Sequence, residues 1–254
     1  MVWAPVRRGL ALGVIAGLLA GLFAFLVGEP LVQDAIDIEE SKAAAHASLT
    51  FIPAHISDLV VSREAQRGGL FLGNVAYGIA MGVIFSAVFL LVRGRGRPRS
   101  DWHLSVLVAG SAFVALALVP FIKYPANPPA VGDPDTIGER TWLYLTLLVG
   151  GALAVLAAVR VGRIAERGGA GEPWRRPVAM LLTFAGLVLV LVVALPDVDE
   201  VPANFPASLL WKFRLSSLGT QAVFWSALGI GYGIAAERAA RQVSAVRTPV
   251  RAAA

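Results

Sequence analysis

The 254-residue chain contains no cysteine, which removes disulfides, thiolate metal sites and thiol catalysis together. Charge is also scarce. Only 15% of residues are Asp, Glu, Lys or Arg against 57% hydrophobic, and the mean hydropathy is +0.70. That balance excludes an ordinary water-soluble domain. No G-x-x-x-x-G-K-[ST] run is present, so no loop for cradling nucleotide phosphates is visible. Histidine is limited to His46, His55 and His103.

What the chain has in quantity is long apolar runs. A hydrocarbon core of about 30 Å needs roughly 20 apolar helical residues to cross it. Six runs meet that need, at 9–27, 69–92, 103–121, 142–159, 178–195 and 216–236, and none contains Asp, Glu, Lys or Arg. The expected fold is all-α: a polytopic membrane bundle of six transmembrane helices as three hairpins, forming a single integral membrane domain over 1–254. The expected outer loop spans 28–68 and the tail 238–254. Arg7 and Arg8 before the first run resemble a secretory leader, but no A-x-A cleavage site follows, so the run reads as a retained helix.

Arginine placement orients the bundle. The segments before the first run, after the second and fourth, and after the sixth hold 15 of the 22 lysines and arginines. By the positive-inside rule both termini are cytoplasmic. Five of the six tryptophans, Trp3, Trp102, Trp142, Trp174 and Trp211, fall at run ends, where an interfacial belt belongs. The sequence pI near 10.1 does not argue for nucleic acid. The basic residues are spread over short juxtamembrane segments that face anionic lipid.

Two outer loops carry nearly the same word, Pro125-Ala126-Asn127-Pro128 and Pro202-Ala203-Asn204-Phe205. This predicts an internal repeat of hairpins 3-4 and 5-6, related by an axis along the membrane normal. Helix 1 has glycine at 9, 13, 17 and 21, and the spacing recurs at Gly69/Gly73, Gly78/Gly82 and Gly229/Gly233. Such stripes let helix backbones approach closely. They serve either packing within the bundle or the seating of another membrane subunit.

Without thiolates, a first-row divalent ion takes imidazole and carboxylate ligands. The candidates on the outer side are Glu39, Glu40, His46, His55, Asp133, Asp197 and Asp199. The plain alternative for Asp197, Asp199 and Glu200 is a solvated turn. Thr136 and Glu139 have capping-box spacing, which assigns Glu139 to backbone N–H groups. Residues 31–47 read as a short helix inside the first outer loop, with Asp34, Asp37 and Glu40 along one edge. Asn74, Tyr77, Tyr144, Thr146, Thr220 and Gln221 lie in the outer third of their runs, and describe either interhelical hydrogen bonding or a hydrated vestibule. Asn74, Asn127, Asn204 and Gln221 are the candidates for permeation or loop function.

The strings VPFIKYPANPPAVGDPDTIGERTWLYL (119–145) and LPDVDEVPANFPASLLWKFRLSSLGTQAVFW (195–225), with GEP at 28–30 and EE at 39–40, closely resemble the CbtA family of bacterial membrane proteins, probable cobalt transporter subunits. The resemblance covers essentially the whole chain. It implies a multi-pass protein of the bacterial cytoplasmic membrane that imports Co2+ for cobalamin synthesis, with no permanently bound cofactor. It also implies a possible small CbtB-like single-helix subunit as partner, beside the lipid bilayer and the ion. Family members commonly carry several histidines behind the Glu-Glu pair, where this chain has only His46 and His55. The competing readings are a membrane-embedded lipid or polyprenyl-phosphate enzyme, using Asn127, Asp133, Arg140, Asn204 and Arg214 on phosphate, and a scaffold for another membrane subunit.

Overall fold

The computed structural model describes residues 3–50, 62–93, 100–168 and 172–252, with side chains described for 3–44, 62–93, 100–168 and 172–242. Among the described residues every regular element is helical. In chain order these are α1 (Trp3–Phe23), α2 (Glu29–Thr50), α3 (Arg63–Arg93), α4 (Asp101–Phe113), α5 (Val119–Lys123), α6 (Ile137–Arg167), α7 (Arg175–Ala194) and α8 (Ala207–Ala252). A π-helical turn at Ala24–Gly28 joins α1 to α2, and a second at Val114–Leu118 joins α4 to α5.

Each of the six apolar runs falls within helix or ends one residue beyond it. Among the described residues five helical stretches are long and apolar enough to cross a membrane: Trp3–Ala44, Arg63–Arg93, Asp101–Lys123, Pro134–Arg167 and Arg175–Ala194. The sixth run lies inside α8, where Ser216, Ser217, Thr220, Gln221 and several glycines dilute the hydropathy. The short helix expected at 31–47 within the outer connection 28–68 is present, and the structure lengthens it. Residues 29–50 continue the first helix without a break, 63–68 already belong to α3, and 51–61 lie outside the described residues.

Proline explains the form the helix takes at this point. Pro30 lacks an N–H and clashes with the preceding turn of a regular helix. The chain accommodates it by widening the turn before it, so that the Glu29 N–H reaches back five residues to the Ala24 carbonyl. The same device precedes Pro120, where the Val119 N–H bonds the Val114 carbonyl. One carbonyl is thereby released, since the Ala115 oxygen finds neither Val119 nor the N–H that Pro120 lacks. Gly151 of α6 meets it, and a Cβ there would sit 2.6 Å from that oxygen.

The chain groups into two compact units, and each is described by itself. Unit 1 comprises residues 1–30, 43–110 and 219–254. Its centre is the antiparallel pair α1 and α3, in which Gly9 faces Gly82, Gly13 faces Gly78 and Gly17 faces the Asn74 backbone. A methyl at Gly13 would collide with the Gly78 carbonyl, so the contact is backbone on backbone. At one end of the pair the buried Glu29 takes Arg63 at 2.7 Å and Arg67 at 2.9 Å. The α8 portion packs Tyr232, 0% exposed, edge-on against Phe85 and Phe89, while Ser105 of α4 donates to the Gly229 carbonyl at 2.7 Å.

Unit 2 comprises residues 31–42 and 111–218. In it α6 and α7 pack closely through Gly150 against Leu191 and Gly162 against Met180. No residue of α7 is buried. The connecting segments have an apolar core of their own, in which Ala35 of α2 meets Val131, Phe205, Leu209 and Leu210, with Leu31, Ile38, Ala130 and Val201 around them.

Candidate functional site

The outer segments of unit 2 hold four of the eleven candidate residues, Asn127, Asp133, Asp197 and Asn204, in defined interactions. The first segment runs from α5 to α6. Pro128-Pro129-Ala130-Val131 forms a turn closed by the Val131 N–H on the Pro128 carbonyl at 3.3 Å. Proline at its second position and a positive φ of 64° at Ala130 give the type II pattern. Gly132 follows with φ 117°, a conformation natural only to glycine, and any side chain there would strike the Arg140 guanidinium. Asp133 then caps a short 3-10 turn, its carboxylate accepting the Asp135 N–H at 2.9 Å.

The second segment runs from α7 to α8. Here the turn is Pro202-Ala203-Asn204-Phe205, closed by the Phe205 N–H on the Pro202 carbonyl at 2.9 Å. The shared word is therefore folded differently in the two places. Asn204 sits inside its turn, whereas Asn127 precedes the turn of its segment.

Glu200 joins the two segments. Its carboxylate accepts the Thr136 hydroxyl at 2.6 Å and the Asp133 N–H at 2.8 Å, and it pairs with Arg140 at 3.3 Å. Arg140 also donates to the Asp133 carbonyl at 2.9 Å. The Glu200 side chain is 18% exposed. The Thr136 hydroxyl and the Asp133 N–H hold its carboxyl below the ordinary carboxylate range, and Arg140 adds to this against a cost from burial. Donors reach both oxygens, so Glu200 serves as a clasp between the two segments. The sequence reading placed it in a solvated turn because its partners lie 64 and 67 residues away.

The capping box is corrected as well. Thr136 has no side-chain capping bond to α6 because its hydroxyl is directed to Glu200, and the capping carboxylate of this turn is Asp133.

Two further contacts strengthen the junction. Lys123, with a side chain 9% exposed, is paired with the fully accessible Asp197, and the Tyr124 hydroxyl donates to the Pro196 carbonyl at 2.6 Å. The two asparagines of the repeated word both accept from cations. Asn127 Oδ1 takes Arg214 at 2.8 Å, and Asn204 Oδ1 takes Lys42 at 3.1 Å. Burial pulls the Arg214 guanidinium down from its usual value, and the negative charge of Asp199 opposes that pull.

The other candidates are placed as follows. Glu39 and Glu40 are exposed on α2 within unit 2. Asp199 is exposed. His46 belongs to α2, but its side chain is outside the described set, and His55 lies outside the described residues. Asn74 and Gln221 are in unit 1. Asn74 donates to the Leu70 carbonyl of its own helix at 2.8 Å, and the Tyr77 hydroxyl reaches Gln221 Oε1 at 3.5 Å. Tyr144 and Thr146 belong to unit 2 and are exposed. Among the described residues no three histidine, aspartate or glutamate side chains are gathered so as to hold a metal ion.

Chemically, then, the unit 2 junction is an oxygen-rich surface whose carboxylates and amides are largely matched to lysine and arginine. Glu39 and Glu40 have no ion pair among the described residues. A family model described as probable cobalt transporter subunit (CbtA) matches residues 4–237, nearly the whole chain. No curated protein and no solved structure matches the chain.

Proposed function

The chain belongs to the CbtA family of probable cobalt transporter subunits, and from that premise we propose that it is the multi-pass permease subunit of a divalent metal importer, with Co2+ destined for cobalamin synthesis as the ion. The observation that carries this reading is the family match over residues 4–237, supported by five helices of membrane-spanning length and composition. In the proposed arrangement α8 supplies a sixth crossing, and the helices form three hairpins in the bacterial cytoplasmic membrane with both termini inside. A proline near the outer end of each first hairpin helix, Pro30, Pro120 and Pro196, favours a common ancestry for the hairpins.

The outer junction of unit 2 is the proposed entry. Glu39, Glu40 and Asp199 provide exposed carboxylates there, and Asn127 and Asn204 provide amide oxygens. Asp133 and Asp197 act first as a cap and a counter-ion, and contribute to the entry through its shape and charge. His46 and His55 are kept as proposed ligands, and Asn74 and Gln221 as residues of the path. A small CbtB-like membrane subunit is the proposed partner. An inside-negative potential favours a divalent cation by about 4.6 kcal/mol per 100 mV, so entry needs no nucleotide hydrolysis by this chain.

The lipid-phosphate enzyme receives no support from the geometry, because the two arginines among its five phosphate-binding candidates, Arg140 and Arg214, already donate to Glu200 and Asn127. The test is radioactive Co2+ uptake by cells lacking their own cobalt importers, expressing this chain alone or with a histidine-rich single-helix subunit, with nickel and zinc as competitors. Chain-dependent uptake that resists nickel supports a cobalt-selective permease. No uptake in either combination, with the protein verified in the membrane, overturns the reading.

A further inference from the structure

We infer that Lys42 is a tethered cation that occupies the Asn204 carboxamide oxygen while no ion is bound, and that it thereby sets the affinity of the outer junction for a divalent cation. The inference rests on the metal-transport reading above and adds to it a residue whose charge opposes binding.

The placement of Lys42 is built, not incidental. It lies on α2 one turn beyond Ile38, and α2 is seated in unit 2 through Ala35, which is 0% exposed. Its acceptor, Asn204, immediately precedes Phe205, a member of the same apolar core. Both ends of the 3.1 Å contact are therefore anchored by the next core residue along, although they are 162 positions apart.

The choice of acceptor is the informative part. Among the described residues Lys42 pairs with no carboxylate, although α2 carries exposed Asp37, Glu39 and Glu40. An ammonium held by a neutral amide at the surface is weakly held and exchanges readily with water. Arg214 on Asn127 is a different case. That contact is shorter and partly buried, and Asp199 supplies a negative charge close by, so it serves as a fixture. An amide oxygen with a neighbouring carboxylate is the hard-oxygen chemistry that a divalent cation uses when sulfur is absent. Glu39 lies three positions before Lys42 on the same helix, on a neighbouring part of its surface. Two like charges on one oxygen repel each other, so an ammonium on the Asn204 oxygen opposes a metal ion there and Lys42 competes with the ion.

This fixes the sign of the test. A merely structural lysine would weaken metal handling when removed, and a competitor would strengthen it. Co2+ uptake is measured against concentration for the full chain and for Lys42→Met, Lys42→Gln, Lys42→Arg, Asn204→Ala and the Lys42→Met/Asn204→Ala pair, at matched membrane levels. Lys42→Met and Lys42→Gln are expected to lower the half-saturating concentration about fivefold, the upper range for an exposed charge contact. Lys42→Arg should behave as the parent, and Asn204→Ala should abolish the gain. Unchanged or raised half-saturation in both neutral variants overturns the inference. If the parent chain moves no ion, the permease reading fails separately. Calorimetric Co2+ binding to the same purified variants then decides this one, with tighter binding by the neutral variants supporting it and no binding by any of them overturning it.

Discussion

Thr136 gives its hydroxyl to Glu200 at 2.6 Å, and this one bond ties the segment before α6 to the segment before α8 within unit 2. A backbone N–H and an arginine converge on the same carboxylate. Glu200→Gln retains the shape but removes the charge and replaces an acceptor oxygen with a donor. It is expected to accelerate hydrogen exchange at the Asp133 amide and lower the thermal midpoint in detergent, with α6 and α7 still helical by circular dichroism. Unchanged exchange at Asp133 would show that the carboxylate is not what holds the segments.

The same group sets a pH dependence. Its folded pKa lies below the ordinary carboxylate value of about 4.3, so the ionised form is favoured by folding. The contribution is fully present above that ordinary value and is lost as pH falls through the lower, folded value. Protection of the Asp133 amide should hold steady at neutral pH and decline only in acid below about pH 4. The Glu200→Gln variant should lack that step.

Glycines of the first hairpin separate into two classes that spacing alone does not distinguish. Gly13 and Gly78 face each other's carbonyls, whereas Gly73 has nothing within 4 Å of where a Cβ would be. Gly13→Ala should therefore force α1 and α3 apart and reduce the amount of folded protein in the membrane. Gly73→Ala should be tolerated or stabilising by up to about 1 kcal/mol, from helix propensity alone. Equal effects at both positions would contradict the packing described.

The helices were legible because each apolar run excludes charge over a membrane's thickness, a one-dimensional property. What the run boundaries missed is that the first helix continues past residue 27 into the helix expected at 31–47. A widened turn lets a helix pass a proline, and residue periodicity does not signal where this happens. At the site, the sequence identified Asn127 and Asn204 as a repeated pair, but not that each accepts from a cation or that their turns differ. Glu200 looked like any acidic loop residue, since nothing local marks a carboxylate whose partners are 64 and 67 residues away. Thr136 and Glu139 matched a capping box, yet tertiary pairing with Glu200 took the threonine hydroxyl instead.

Asp197 illustrates how a proposed metal ligand and a counter-ion are told apart. Its side chain is 92% exposed, while that of Lys123, its partner, is only 9% exposed. Removing the carboxylate alone leaves the Lys123 ammonium, at the end of a side chain little exposed to water, without its partner, which is destabilising, whereas neutralising both members of such a pair is often tolerated. Asp197→Asn should therefore lower the amount of folded protein in the membrane, and adding Lys123→Met should restore it. If Asp197 served the ion directly, uptake per folded molecule would remain depressed in the double variant. The expected outcome is recovery of both protein level and uptake, read by immunoblot of membranes and by Co2+ accumulation on the same cells. Recovery of level without recovery of uptake would return Asp197 to the ligands.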